Sequence, residues 1–546
     1  MTLIPAFLAT GVSIVGHKQK QGRSGGKSLW HKFYLDIVFL GVAIYGLVSF
    51  KRRMKDLQQL GLDSSTLGFD PLLFIVPALF IIGMGLLILR LYPYIISLIY
   101  LIGRKWWSPS LYFTLIHVGR SIKQYQFIMV FMIITISIGT FSASAARTIN
   151  QNTEDRIRYT GGADITLQVK WEDDSSLNSD SREAPGQSKK KEKSQEDLTP
   201  RKTQYSEPPF QPIADLPGVE FATKVFNKEK TTVSFSKGEA ITQLMGIETA
   251  NFGRITWMRD GLLDYHYYSY LNLMAKDPSA VLISRSLAEQ FDVKPGEYIT
   301  MSWPGSVEAR FSVYAIIDYW PSWSPLPQVA KEEAKASLPN LVVGHLPYIQ
   351  NHMALEPYEV WLKLDEKTTM KQFYDELSKS DFRITKFTNP KQDLVNSRTD
   401  PFRLAINGVM TLGFVISIVV SFLGFILFWV LSLTSRVLQF GIFRAMGISF
   451  LQLIGVLAAE QILTSGAAIA IGWVTGYVAS KLFVPFFQLS FNTTTQVPPF
   501  QVAFQVQDQI QLFSIITFML LIGLLILGVM LSRIKIHQAI KLGEDG

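Results

Sequence analysis

The chain has 546 residues, of which 48% are apolar and only 18% charged; soluble domains carry nearer a quarter, so this is the composition of a membrane protein. Its 52 Lys and Arg against 44 Asp and Glu leave a net charge of +8, but the basic residues gather beside apolar runs, where they set orientation and meet lipid head groups. That placement argues for membrane lipids and against nucleic acid as a partner, and the absence of cysteine excludes disulfides, thiolate zinc sites and a cysteine nucleophile.

Residues 1–33 open with "LIPAFLATGVSIV" (3–15), which is short of the roughly 20 residues a bilayer needs. It reads as the end of a helix whose beginning is missing, or as a short first helix, followed by a basic cytoplasmic loop. In that loop "QGRSGGKSLW" (21–30) has the Gly26-Lys27-Ser28 of a phosphate-binding loop. Gln21 stands where the motif needs glycine, however, and no strand precedes it, so it reads as a basic linker.

Six longer apolar segments follow, at about 34–50, 71–102, 127–146, 404–433, 453–484 and 511–532. Most are near or above spanning length. The first two form a pair of linking helices (34–102), and Arg90 beside Pro93 is expected to break the second. An amphipathic cytoplasmic segment (103–126) leads to a span at 127–146. Three closing helices (404–533) and a tail (534–546) end the chain.

Between the third and fourth apolar segments lies a polar region, 147–403. It opens with a strand, "ADITLQV" (163–169), then an insert at 172–209 with too few large apolar residues to offset its ordering entropy. Period-two runs return in "KTTVSFS", "AITQLMGI", "YITMSW", "RFSVYAII", "NLVVGH" and "YEVWLKL", with helical spacing in "SRSLAEQF" (284–291) and "TMKQFYDELSKS" (369–380). The fold class is therefore a multi-pass α-helical membrane protein with a large extracytoplasmic α+β domain inserted between transmembrane helices.

Lys and Arg cluster in the 434–452 loop (Arg436, Arg444) and the tail (Arg533, Lys535, Lys541) but are missing from 497–510. The first two are thus placed in the cytoplasm and the 147–403 domain outside, in a cell membrane. One cluster, Lys51, Arg52, Arg53 and Lys55, then lies outside, against the rule.

Residues able to carry chemistry are sparse. His345, His352 and Glu356 match no metal-ligand spacing, the aromatic stretch around His266 reads as a packed or interaction face, and no nucleophile with a base is recognisable, so no catalytic, cofactor-binding or metal site is expected. Within the spans Glu460 and Lys481 are accounted for by packing and by reaching toward the interface. Gly472 and Gly476, a GxxxG pair, are expected to pack closely against another helix, as is the small-residue run "SIGTFSASAA" (137–146). In "SRVLQFGIFRAMGISFLQLIGVLAAEQ" (435–461), Phe440, Phe443 and Met446 recur at threes beside Arg436 and Arg444, an apolar, basic-edged face suited to head groups or to a groove on a cytoplasmic partner.

That segment resembles the loop of FtsX-like permeases, the MacB-type class of ABC transporter membrane subunits. Arg436, Gly441, Ile442, Arg444, Ala445 and Gly447 match the family pattern; Gln439 stands where the family usually has Glu, and Met446 where it often has Leu. The tail "LSRIKIHQAIKLGEDG" and "AVLISRSLAEQFDVKPGEYITM" (280–301) are also similar to family segments. The resemblance covers residues from about 127 onward and implies a non-catalytic permease subunit that passes ATP-driven motion to an outer domain acting on lipid, lipoprotein, peptide or cell-wall partners. It implies a cytoplasmic ABC ATPase dimer that itself binds ATP. The coupling residues are then Arg436, Gln439, Phe440, Gly441, Phe443, Arg444, Ala445 and Gly447. A chain of this form is expected to be the second half of a two-unit permease, working with a separate N-terminal half or a second copy. The alternative is a non-transporting receptor whose outer domain binds a ligand.

Overall fold

The computed structural model describes residues 29–60, 72–103, 109–173, 204–326, 339–380, 382–434, 446–486 and 497–532. The chain is a multi-pass α-helical membrane protein carrying an extracytoplasmic α+β domain. Among the described residues five helices are long and apolar enough to cross a membrane, over Ile75–Gly103, Tyr125–Gly161, Arg403–Leu431, Leu451–Phe486 and Val506–Ile526.

Helix α1 (Leu35–Leu60) and helix α2 (Leu72–Gly103) form a hairpin. The basic run from Lys51 to Lys55 lies on α1 itself, not in a loop. α2 does not break at Arg90: it continues through Pro77 and Pro93. A proline inside a helix removes one backbone hydrogen bond, and packing on neighbouring helices can hold the turn in place. Arg90 instead lies 2.9 Å from buried Asp36 of α1 and stacks over the Tyr34 ring.

Helix α3 (Pro109–Gly161) is the axis of the molecule. It merges the amphipathic segment and the span into one helix of 53 residues and runs 15 residues past Ala146. The apolar signal stops at the membrane surface, but "RTINQNTEDRIRYTG" is mostly compatible with helix, so the helix goes on as a stalk. The outer domain begins where the stalk ends, at Gly162, whose φ is +71°.

The domain's strands are β1 (Ile165–Val169), β2 (Glu172–Asp173), β3 (Tyr205–Ser206), β4 (Val219–Phe235), β5 (Gly238–Ile247), β6 (Ala280–Ser284), β7 (Tyr298–Ser302), β8 (Ala309–Ile317), β9 (Leu341–His345), β10 (Glu359–Leu364) and β11 (Ile384–Thr388). Nine of them make one sheet, in the order β11-β1-β10-β4-β5-β9-β6-β8-β7. The 17-residue β4 changes register between Lys228 and Thr231 and also pairs with β7, so six strands close into a ring. Val233, Leu244, Val281, Ile299, Phe311 and Val342, one from each ring strand, are buried in one apolar cluster; each such side chain contributes about 1.5–3 kcal/mol relative to staying in water. The short helices α4 (Thr249–Ile255), α5 (Tyr267–Lys276), α6 (Arg285–Phe291), α7 (Leu346–His352), α8 (Met370–Lys379) and α9 (Pro390–Arg398) connect and cover these strands.

Most of the 172–209 insert, residues 174–203, lies outside the described residues, but its ends are folded. β2 pairs with β3, Tyr205 meets Trp171 edge-on, and Glu207 accepts hydrogen bonds from Lys224 and Tyr358. Burial alone raises the Glu207 carboxyl, but these two bonds outweigh it and leave its pKa below the usual range.

The chain then returns to the membrane through helices α10 (Pro401–Thr434), α11 (Phe450–Gln461), α12 (Ala467–Phe483) and α13 (Val506–Ser532). All four pack around α3.

Candidate functional site

The segment singled out by sequence lies in the chain between α10 and α11. Arg436, Gln439, Phe440, Gly441, Phe443, Arg444 and Ala445 lie outside the described residues, as does the segment 21–28. Gly447 is described: it is exposed, with φ +92°, a conformation that a side chain would strain. Two residues on, Ser449 and Gln452 form a reciprocal cap. The Gln452 N–H donates to the Ser449 hydroxyl at 3.3 Å, and the Ser449 N–H donates to the Gln452 side-chain oxygen at 3.0 Å. The two flanking helices are anchored, because Leu453 and Leu457 of α11, Phe425 and Trp429 of α10, Tyr125 and Met129 of α3 and Leu89 of α2 share one buried cluster.

Gly472 and Gly476 lie against α3. A Cβ on Gly472 would stand 3.0 Å from the Ile133 carbonyl oxygen, and one on Gly476 would stand 2.8 Å from that of Ser137. The Ser137 hydroxyl donates to the Gly472 carbonyl at 2.8 Å, so two small-residue faces bring the helix backbones together. Lys481 is exposed in the last turn of α12, whereas Glu460 is buried and accepts a hydrogen bond from the Tyr125 hydroxyl.

At the other end of the spans, the stalk is held by a belt of polar contacts that sequence reasoning missed. Arg147 makes a two-pronged bond to Asp508 of α13, at 2.7 and 3.0 Å. Asn150 accepts from Arg403 and Asn407 of α10, and Asn152 exchanges two hydrogen bonds with the Gln501 backbone. Glu154 accepts from Arg398, the last residue of α9. Higher still, Arg259 of the outer domain lies 3.6 Å from Asp155 and donates to the Pro499 carbonyl at 2.8 Å. Tyr159, Leu262 and Val497 are buried together beside it. Local spacing along 147–159 does not name these partners, since each lies far away in the chain.

The His and Glu residues of the outer domain are used structurally. His352 bonds the Tyr348 carbonyl and stacks on that ring, Glu356 accepts from Lys228 and from the Trp303 indole, and His345 precedes α7, where burial lowers its pKa. His266 caps α5 by accepting from the Tyr268 N–H and helps line an open cavity of about 270 Å³ with Asp260, Asp264 and Tyr265. Among the described residues no three His, Asp or Glu gather to hold a metal ion.

Residues 411–539 match the family model described as FtsX-like permease C-terminal, a stretch that takes in the α10–α11 loop and the first part of the tail. No curated protein matches the chain. Among solved structures the chain is similar to the extracellular domain of the noncanonic ABC-type transporter YknZ from Gram-positive bacteria, at 13% identity over 32% of this chain and 86% of that one, TM-score 0.22. It is also similar to the periplasmic region of MacB from Actinobacillus actinomycetemcomitans, at 12% identity over 35% and 80%, TM-score 0.23. A domain of a permease protein from Porphyromonas gingivalis is similar at 16% identity over 30% and 64%, TM-score 0.21.

Proposed function

We propose, from the premise that residues 411–539 are an FtsX-like permease C-terminal domain, that this chain is the membrane subunit of an ABC transporter and transmits ATP-driven motion to its outer domain. A cytoplasmic ABC ATPase dimer binds and hydrolyses the ATP, and this chain binds no cofactor of its own. The C-terminus and the 434–452 loop are cytoplasmic, and Arg436, Gln439, Phe440, Gly441, Phe443, Arg444, Ala445 and Gly447 dock the ATPase. A second permease unit, either a separate N-terminal half or another copy, completes the pair that an ATPase dimer requires. The outer domain acts on lipid, lipoprotein, peptide or cell-wall partners.

The observation that carries this reading is α3. One unbroken helix of 53 residues joins the inner membrane face to the outer domain, and the helices that flank the docking loop pack directly on it. Such a helix gives a displacement among the spans a direct route to the outer domain, with no need for a pore.

Arg444→Glu places a carboxylate in the docking segment and is expected to abolish co-purification with the partner ATPase, while Arg444→Lys retains it. Undiminished complex formation and ATP turnover by the Glu variant would remove the basis for the docking assignment.

A further inference from the structure

Helix α11 does not pass smoothly into α12. Between them, Ile462–Gly466 form a π-helical turn, a widened geometry frequent at functional sites. Four buried polar groups gather at this turn, at 3% exposure for Glu460, 5% for Gln461 and 1% for Thr464 and Ser465.

Two of them, Glu460 and Gln461, and the Leu463 backbone bond to other helices. The Glu460 carboxylate accepts from the Tyr125 hydroxyl of α3, and the Tyr92 hydroxyl of α2 donates to the Leu463 carbonyl inside the turn. The Gln461 amide donates to the Leu520 carbonyl of α13 at 3.2 Å. The Thr464 hydroxyl folds back onto the Glu460 carbonyl at 2.8 Å. Three helices are therefore tied by hydrogen bonds to Glu460, Gln461 and Leu463, at the point where α11 changes its winding. Tyr125 marks the same level on α3, where the apolar span begins above the inner segment. An ionisable side chain buried there is costly, and one bonded across helices marks a functional position.

We propose that Glu460 and Tyr125, with Tyr92 and Gln461 around the π-helical turn, form a joint through which displacement of the docking loop reaches α3, α2 and α13 together. The proposal rests on the ATPase-driven reading. Glu460 is a positioning residue here: it ties α11 to the lever α3, and the loosened turn lets the lower segment tilt without dragging α12 from its close seat on Ile133 and Ser137.

The chain lacks cysteine, so spin labels can be introduced at exposed Val395 of α9 and Ile510 of α13 in the full chain bound to its ATPase. In the otherwise wild-type chain, the distance between the labels is expected to shift when ATP is added. In Glu460→Leu and in Tyr125→Phe, the ATPase still co-purifies and hydrolyses ATP, but the shift is lost; Glu460→Gln, which keeps the hydrogen-bond acceptor, retains it. Tyr125→Phe removes a single hydroxyl and carries the test should the Leu variant not fold. A full shift in Tyr125→Phe would overturn the joint and leave the transmission reading standing. An otherwise wild-type chain that binds the ATPase yet shows no shift would overturn both.

Discussion

Gly476 and Gly408 have the same side chain and opposite surroundings. A Cβ on Gly476 meets the Ser137 carbonyl oxygen and the Thr140 Cβ at 2.8 Å, whereas one on Gly408 has nothing within 4 Å. Backbone cannot give way as a flexible side chain can, so Gly476→Ala is expected to destabilise the membrane unit by about 1–3 kcal/mol. Gly408→Ala should cost nothing, because alanine is favoured over glycine within a helix by about 1 kcal/mol. Thermal unfolding of both variants in lipid nanodiscs decides it, and equal melting temperatures would refute the close contact. The GxxxG spacing is readable in sequence; that it meets "SIGTFSASAA" on α3 is not, because spacing marks a close-packing face without naming its partner. The buried hydroxyls and carboxylates are harder still to read. Glu460 and Asp36 sit in apolar stretches with partners 335 residues away on Tyr125 and across the hairpin on Arg90.

Among the elements, the belt around the stalk sets how the outer domain sits on the spans. The Arg147–Asp508 pair is partly exposed, at 38% and 24%, so its worth to stability is on the order of 0.2–1 kcal/mol. Its role is register: it fixes the start of α13 against one turn of α3. Reversing the pair, Arg147→Asp with Asp508→Arg, is expected to recover most of what either single change loses in unfolding temperature. Losses that simply add in the double variant would deny the pair any coupling. Strands and helices of the outer domain with clear period were legible, such as "RFSVYAII" in β8 and "TMKQFYDELSKS" in α8. β6 was not, because all five of its residues are buried and a continuous apolar run has no period to read. β11 escaped for the opposite reason, as an edge strand with mostly exposed residues. The stalk was missed because hydropathy marks where the membrane ends, not where the helix does.

At the scale of the whole molecule, two levels are stacked on one helix: an apolar cluster with the polar joint at Tyr125 inside the membrane unit, and a belt below the outer domain. Composition and apolar segments were enough to read the membrane class and the inserted domain. The ring closure of β4 onto β7 and the belt were not, since both depend on pairings between distant residues that local patterns do not encode. The central claim is that ATP turnover in the partner is felt by the outer domain. It is tested most directly by spin labels at exposed Ile241 of β5 and Val409 of α10, with the distance between them measured in the ATPase-bound chain with and without ATP. The account predicts distinct distance distributions in the two states; the same distribution in both, under conditions where the ATPase is turning over, would contradict it.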